Sequence, residues 1–460
     1  MLFRSDFDSV AEHRWSQAIA AARPRRAGQI TAVTPSGIEV AGLDAATGDH
    51  VVVNADGREI PGTVIALAHG SARITSFAGV EGLKLGMRCT PALGRLTVPV
   101  GQQLLGRVLD ALGRPIDNQG ALGGLKSELD SPAPDPMTRR AVEQPFITGV
   151  RAIDTAIPLA KGQRIGIFAG SGVGKSTLLS MATKSASADV IVVALVGERG
   201  REVREFIDQH LGNDGMKKSV VVVSTGDEPA LMRLTAAQTA TRIAEDFRDE
   251  GLDVLLILDS VTRFAMAQRE IGLSAGELPV ARGYPPSVLT ELPKLLERAG
   301  NSAWGTMTAI YTVLVDGDDM NDPVADAVRG ILDGHIVLSR QLANSGHFPA
   351  IDVLQSVSRL AATVHNDHQK TVSRRLRELM AEYSNARDLL EVGAYVPGAS
   401  KSLDDAVEHM PDINRFLMQE HSDQTSPDHT WRMLEQAVGP PRAEAREPSA
   451  PASRRERAAA

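Results

Sequence analysis

Between residue 28 and about residue 99 the apolar positions come in short, interrupted runs. Ile30 to Val33, Ile38 to Val40, His50 to Asn54 and Thr63 to Leu67 are separated by turn-forming stretches such as Pro35-Ser36-Gly37 and Ala55-Asp56-Gly57. Short strands at this spacing predict a small N-terminal β-barrel over residues 24–99. Farther along, the runs become continuous: Ile165 to Phe168, Val190 to Val196, Val220 to Ser224, Val254 to Leu258, Thr308 to Val315 and His335 to Leu338, with stretches of helical period between them. A strand that is apolar on both sides must be covered on both sides. These runs therefore predict a parallel sheet with helices on both faces, in a domain over residues 100–367. Residues 368–436 read as a C-terminal helical domain, and the fold class is multidomain α/β.

The flanking segments read differently. Phe3, Phe7, Val10, Trp15, Ala18 and Ile19 recur every three to four positions and form one apolar helical stripe across residues 1–23. Pro24 closes it. Such an amphipathic helix packs on its own domain or docks on a partner or membrane surface, and the pattern leaves both open. Residues 118–140, polar and rich in Gly and Pro, read as a connector, and the Pro/Ala/Arg/Glu-rich residues 437–460 read as a disordered tail.

Composition narrows the function classes. The chain has 460 residues with 49 basic and 57 acidic side chains, a net charge of −8. No basic block is long enough to follow a phosphate backbone, and no basic–aromatic surface is interleaved in the barrel region, so no nucleic-acid partner is expected. One cysteine, Cys89, forms neither an internal disulfide nor a Cys-x-x-Cys site, which places the chain in a reducing cytoplasm. The N-terminus lacks a leader pattern, and no run of about 18 apolar residues occurs. A soluble chain, or one peripheral to a membrane, is expected.

The chemistry lies in the parallel-sheet region. Arg164 to Ala169 is a strand, Gly170-Ser171-Gly172-Val173-Gly174 a glycine-rich loop, and Lys175-Ser176-Thr177 the start of a helix. This is a P-loop: its glycines let consecutive N–H groups curl around phosphate oxygens, Lys175 places a charge on the β/γ-phosphates, and the Ser176 hydroxyl can ligate Mg²⁺. The strict pattern wants Gly where Ala169 stands, but the glycines nearest the phosphates are present. Asp259, at the end of the apolar run Val254 to Leu258, supplies the carboxylate for the metal side. Glu198, just past the Val190 to Val196 run, is the general-base candidate, with Arg199 placed to orient it or the γ-phosphate. Read bare, the charged run Arg199-Gly200-Arg201-Glu202 is equally a solvated surface. His365 and His368 lack companions at metal-ligand spacing and read as solvated helix histidines. No nucleophile elbow or Cys-His arrangement is present.

The motifs go beyond a generic P-loop. Leu104 to Val108, Thr148 to Asp154, Gly197-Glu198-Arg199, Asp259 to Phe264 and Pro349 to Asp352 leading to Ser356-Val357-Ser358-Arg359 occur in order. The chain resembles the rotary ATP synthase α/β superfamily. Val261 to Ile271, Gly283-Tyr284-Pro285-Pro286-Ser287-Val288 and Asp333 to Arg340 make it similar to the flagellum-specific and injectisome (type III secretion) export ATPases. The resemblance covers about residues 28–435. It implies a RecA-type nucleotide domain in a homohexamer with sites between subunits, ATP and Mg²⁺ as substrate and cofactor, and Glu198, Asp259 and the P-loop from Gly170 to Thr177 in the roles just given. It further implies a phosphate-side arginine at Arg263, an arginine finger at Arg359 and an adenine-facing aromatic at Phe348; read bare, a Phe there belongs to a core. The implied partners are a stator-like regulatory export protein, export chaperones and substrates, and a membrane export gate, at the inner face of the cell membrane. Asp6, Asp8 and Glu12 interrupt the N-terminal stripe, which disfavours an anionic membrane and favours the regulatory partner. A catalytic synthase subunit, an RNA translocase of the transcription-termination type and an inactive nucleotide-binding scaffold are the alternatives. The first is disfavoured because one chain carries both base and finger, and the last because Lys175, Glu198 and Asp259 are intact.

Overall fold

The computed structural model describes residues 26–440 apart from residues 93, 316 and 318. The expected helix over 1–23, and all of the expected tail beyond residue 440, lie outside the described residues.

Six strands close the N-terminal barrel in the order Gly28–Thr34, Gly37–Ala41, Ser71–Ser76, Arg58–Ala68, His50–Ala55, Arg88–Pro91, each antiparallel to its neighbours. Inward positions alternate along each strand, so Ile30, Ile38, Val40, Val51, Val53, Ile60, Val64 and Ile74 fill the interior. The Asp56-Gly57 turn between the third and fourth strands in chain order has φ of 50° and 90°. Both central residues are left-handed, as a two-residue hairpin with the sheet's twist requires. Cys89 sits inside the barrel, where burial pushes its thiol up to about 12 and removes its reactivity. The short strand Thr97–Pro99, within the span expected for the barrel, pairs instead with Lys126–Glu128 of the connector.

The central sheet has eight strands, in the order Ile351–Ser358, Gly334–Leu338, Arg164–Ala169, Thr306–Leu314, Asp253–Asp259, Val190–Glu198, Ser219–Thr225, Val108–Asp110. All adjacent pairs are parallel except the first, where Ile351–Ser358 runs antiparallel at the edge. Successive residues of the central strands feed opposite cores. Val192, Ala194, Leu256 and Leu258 pack with Ile243, Phe247 and Phe264 of the helices Ala230–Asp249 and Val261–Ala275 on one face. Ile191, Val193, Leu255 and Ile257 pack with Leu178 and Leu179 of the helix Lys175–Ser185 on the other. This two-sided burial is why those runs lack the alternation of a half-exposed strand.

The C-terminal helices Asp367–Asn385, Lys401–Leu417 and Pro427–Val438 join the second core through Leu376, Leu379, Ile413, Phe416 and Leu434. A capping box between Asn366 and Gln369 starts the first of them. Two sequence readings need correction here. The last helix continues to Val438, and Ala437 and Val438 are buried, so residues 437 and 438 belong to the helices and not to the tail. His365 is not a solvated helix residue: it caps the short helix Ala361–Val364, is buried, and meets Trp431 edge to face. His368 is exposed on the next helix and pairs with Glu435 at 2.7 Å.

Candidate active site

The carboxyl ends of parallel strands are where an open sheet gathers a ligand site. Here the P-loop follows Ala169, Glu198 ends its strand, and Asp259 ends the strand between them. Gly172 and Gly174 have φ of +78° and +93°, conformations that L side chains resist, and Val173 between them is buried in the second core. The loop is thereby pinned at Val173 while the backbone on either side curls outward. Nothing stands within contact distance of a side chain added at Gly172, which leaves room for a phosphate to approach. Gly174 caps the helix Lys175–Ser185, whose first N–H groups have no partner within the helix and carry the positive end of its dipole.

A cleft of about 510 Å³ is lined by this loop together with Glu198, Arg199, Glu202, Asp259, Arg263 and Leu314. Within it Lys175 Nζ donates to Asp259 Oδ1 and lies 3.6 Å from Glu198 Oε1. Burial works against the lysine's charge, but the Asp259 and Glu198 carboxylates together hold its pKa above the ordinary value. Glu198 behaves oppositely. Burial pushes its carboxyl up to about 7 against the pull of Lys175, with Asp259 adding to the rise. Thr312 Oγ1 donates to Asp259 Oδ1 at 2.7 Å and fixes that carboxylate from the neighbouring strand.

The arginines divide. Arg263 lines the cleft, and its Nε is buried with no hydrogen-bond partner among the described residues. Gly197, at φ +70°, makes space for it: a Cβ there would stand 2.9–3.2 Å from the Arg263 side chain. Arg199 is at the mouth, exposed, and donates to Glu202 at 3.2 Å. Glu202 in turn shares a hydrogen bond with Glu198, so Arg199 reaches the base candidate through Glu202 and not directly. Arg359 lies elsewhere. It follows the antiparallel edge strand, and its N–H donates to Asp333 O beside Arg164, at the start of the P-loop strand. Five residues separate Arg164 from Ala169, a rise of about 17 Å at ~3.3 Å per residue. Arg359 is thus at the opposite end of the sheet from its own P-loop.

Phe348 is not a core residue. It is half exposed, its ring stands 3.6 Å from where a Gly174 side chain would begin, and it faces a second cavity of about 870 Å³ shared with Thr177, Met181, Met418 and Gln419. The two cavities flank the P-loop helix.

The residues fit a metal–nucleoside triphosphate. An open left-handed loop, an unpartnered guanidinium Nε, a lysine balanced only by two carboxylates, and a hydroxyl at Ser176 opposite Asp259 form a donor set for phosphate with an oxygen pair for a hard cation. Sequence reasoning missed Thr312 and Glu202. Thr312 carried one usable signal, a polar residue inside the otherwise apolar run Thr306–Leu314.

Comparison with known proteins agrees with this geometry. Residues 149–358 match the model of the ATP synthase alpha/beta family nucleotide-binding domain, and residues 364–436 that of the T3SS EscN ATPase C-terminal domain. The chain is 49% identical over 395 residues to the flagellum-specific ATP synthase of Treponema pallidum, spanning 85% of this chain and 88% of that protein. It is 47% identical over 419 residues to the type 3 secretion system ATPase of Xanthomonas euvesicatoria, spanning 89% and 93%. Among solved structures it superposes on the assembled ATPase EscN of the enteropathogenic E. coli type III secretion system with a TM-score of 0.86 and 44% identity, covering 90% of this chain and all of that one.

Proposed function

The chain belongs to the family of flagellum-specific and type III secretion ATPases, and on that premise we propose that it works as a homohexameric ring energising protein export through a flagellar apparatus. It is an ATP-hydrolysing enzyme. Lys175 and the P-loop N–H groups bind the β- and γ-phosphates, Arg263 steadies the γ-phosphate, and Glu198 accepts the proton of the attacking water. Ser176 and Asp259 would hold a Mg²⁺ ion, which would supply positive charge against that developing on the phosphates. Phe348 faces the adenine.

The observation that carries the ring is the position of Arg359. A finger about 17 Å along the sheet from its own P-loop serves only a neighbour's cleft, and identical copies then complete every interface. The assembled state named for EscN, and its complex with the central stalk EscO, to which this chain is also similar (TM-score 0.82, 43% identity), support a ring with a stalk partner. Residues 1–23 dock the stator-like regulatory protein, and the ring receives export substrates and their chaperones at the cytoplasmic face of the membrane export gate. No helix among the described residues is long and apolar enough to cross a membrane.

Deleting the gene and restoring it with wild type or Lys175→Ala tests the reading in the cell of origin. Filament protein should appear in the medium with wild type alone. If flagellar secretion persists in the deletion while injectisome effectors are lost, the injectisome reading replaces this one.

A further inference from the structure

The cavity that Phe348 faces is lined also by Gln419, a residue outside every motif. Gln419 lies in the loop after the helix Lys401–Leu417 and is buried. Its side chain uses three of the four hydrogen bonds an amide can make: Oε1 accepts from Arg151 N–H at 2.9 Å, and Nε2 donates to Gly149 O and to Asp423 O, each at 2.9 Å. Its own backbone N–H donates to Phe348 O, also at 2.9 Å. Gly149 in turn packs on the end of the P-loop helix, where a Cβ would stand 2.3 Å from that of Ser185. Arg151 is locked into the same loop, donating to Asp423 at 2.9 Å and to Met418 O at 2.6 Å.

We propose that Gln419 is a positioning residue for the nucleotide, through which the C-terminal helical domain sets Phe348 against the P-loop helix. The proposal rests on the reading of Phe348 as the adenine-facing aromatic. The side chain fixes residue 419 to Gly149 and Arg151, Gly149 packs on the end of the P-loop helix at Ser185, and the backbone N–H then holds the Phe348 carbonyl at that spacing. Phe348 is half exposed. Without the amide, the loop Met418 to Asp423 keeps its chain path but loses its register on the nucleotide domain. The base wall then loosens while the phosphate cradle, built on Val173 and the sheet, stays in place.

The test uses the full-length chain and two ligands, ATP and inorganic tripolyphosphate, each with Mg²⁺, alongside thermal unfolding. Gln419→Ala should weaken ATP binding about tenfold, the effect of loosening roughly one contact to the base, while the three hydrogen bonds lost within the protein are read in the thermal unfolding. It should leave tripolyphosphate unchanged and raise KM for ATP with little change in kcat. Phe348→Ala should produce the same pattern. If Gln419→Ala does not fold, Gln419→Glu serves in its place, since it keeps the acceptor for Arg151 N–H and loses both donated bonds. Equal weakening of ATP and tripolyphosphate would reduce Gln419 to general support of the fold and overturn the proposal. Unchanged ATP affinity in Gln419→Ala, with Phe348→Ala weakened, would overturn it and leave the reading of Phe348 standing. Unchanged ATP affinity in Phe348→Ala would overturn both.

Discussion

Replacing Arg359 by alanine separates a shared site from a self-contained one. The side chain is exposed and its backbone N–H bond to Asp333 survives the substitution, so the fold should be unaffected. Its place at the Arg164 end of the P-loop strand puts it about 17 Å along the sheet from the P-loop end, beyond an arginine's reach. Acting on a neighbour's γ-phosphate, it should contribute about 10³–10⁵ in rate, the range seen for arginine fingers. Arg359→Ala should therefore bind ATP and assemble yet hydrolyse at background, and wild-type hydrolysis per subunit should rise with protein concentration as rings form. Lys175→Ala is inactive for a different reason, the loss of charge on the phosphates. In rings mixed randomly from equal amounts of the two variants, roughly one interface in four joins an intact P-loop to an intact finger. Steady-state hydrolysis of the mixture should then recover to a sizeable fraction of wild type, while each variant alone stays silent. Native mass spectrometry verifies that mixed rings exist. Background activity in verified mixed rings would refute the trans arrangement, and undiminished activity of Arg359→Ala would remove the finger altogether.

Glu198→Gln should retain ATP affinity and lose turnover, because the amide is nearly isosteric but accepts no proton; normal hydrolysis in this variant would place the base elsewhere. The Glu198 carboxyl of the free enzyme sits at about 7, and a base must be ionised, so kcat/KM should fall as pH drops through about 7 and level off above it. A profile flat from pH 5 to 8, measured in a triple buffer at constant ionic strength, would contradict the assignment. Glu245, fully buried and held by Arg298 at 2.7 and 2.8 Å, should cost about 3–5 kcal/mol of stability when replaced by alanine, since an uncompensated guanidinium remains in the core. Chemical denaturation reads that loss, and a change below ~1 kcal/mol would mean that water reaches Arg298.

The parts legible in the sequence are those whose physics is local. A phosphate loop needs glycines at left-handed positions beside a lysine, and a two-sided sheet needs unbroken apolar runs; both needs are met by consecutive residues. The edge strands gave a weaker signal. Val108–Asp110 has three residues, and Ile351–Ser358 mixes Asp, Gln and Ser with its apolar positions because one side lacks a partner strand. Thr312, Glu202 and Gln419 were illegible as site residues for other reasons. Thr312 and Gln419 bond residues that only the fold brings near, Asp259 at 53 positions and Gly149 at 270, whereas Glu202 bonds Glu198 four positions away and was hidden by the charged run around it. His365 misled because its polarity marks a surface helix, whereas the seam between the nucleotide domain and the C-terminal helices buries it against Trp431.

The electrostatics of the cleft bear on why such a site is built in pieces. Lys175 faces two carboxylates at once, and one of them, Glu198, is held near neutrality by burial. In a single subunit the lysine is balanced by its own aspartate, and the positive charge left to meet a triphosphate's developing charge is chiefly that of Arg263. On the proposed reading, a tetravalent ligand would need further cations, a metal at Ser176 and Asp259 and the neighbour's Arg359. If Gln419 positions Phe348 as proposed, the adenine wall likewise depends on the C-terminal helices, which pack on the face of the sheet that holds the P-loop helix. Phosphate, adenine and transition-state charge would then be met by three separately placed parts of the ring. In that arrangement, any force that turns the C-terminal helices against the sheet, or one subunit against the next, should change nucleotide affinity and rate before it disturbs the P-loop itself.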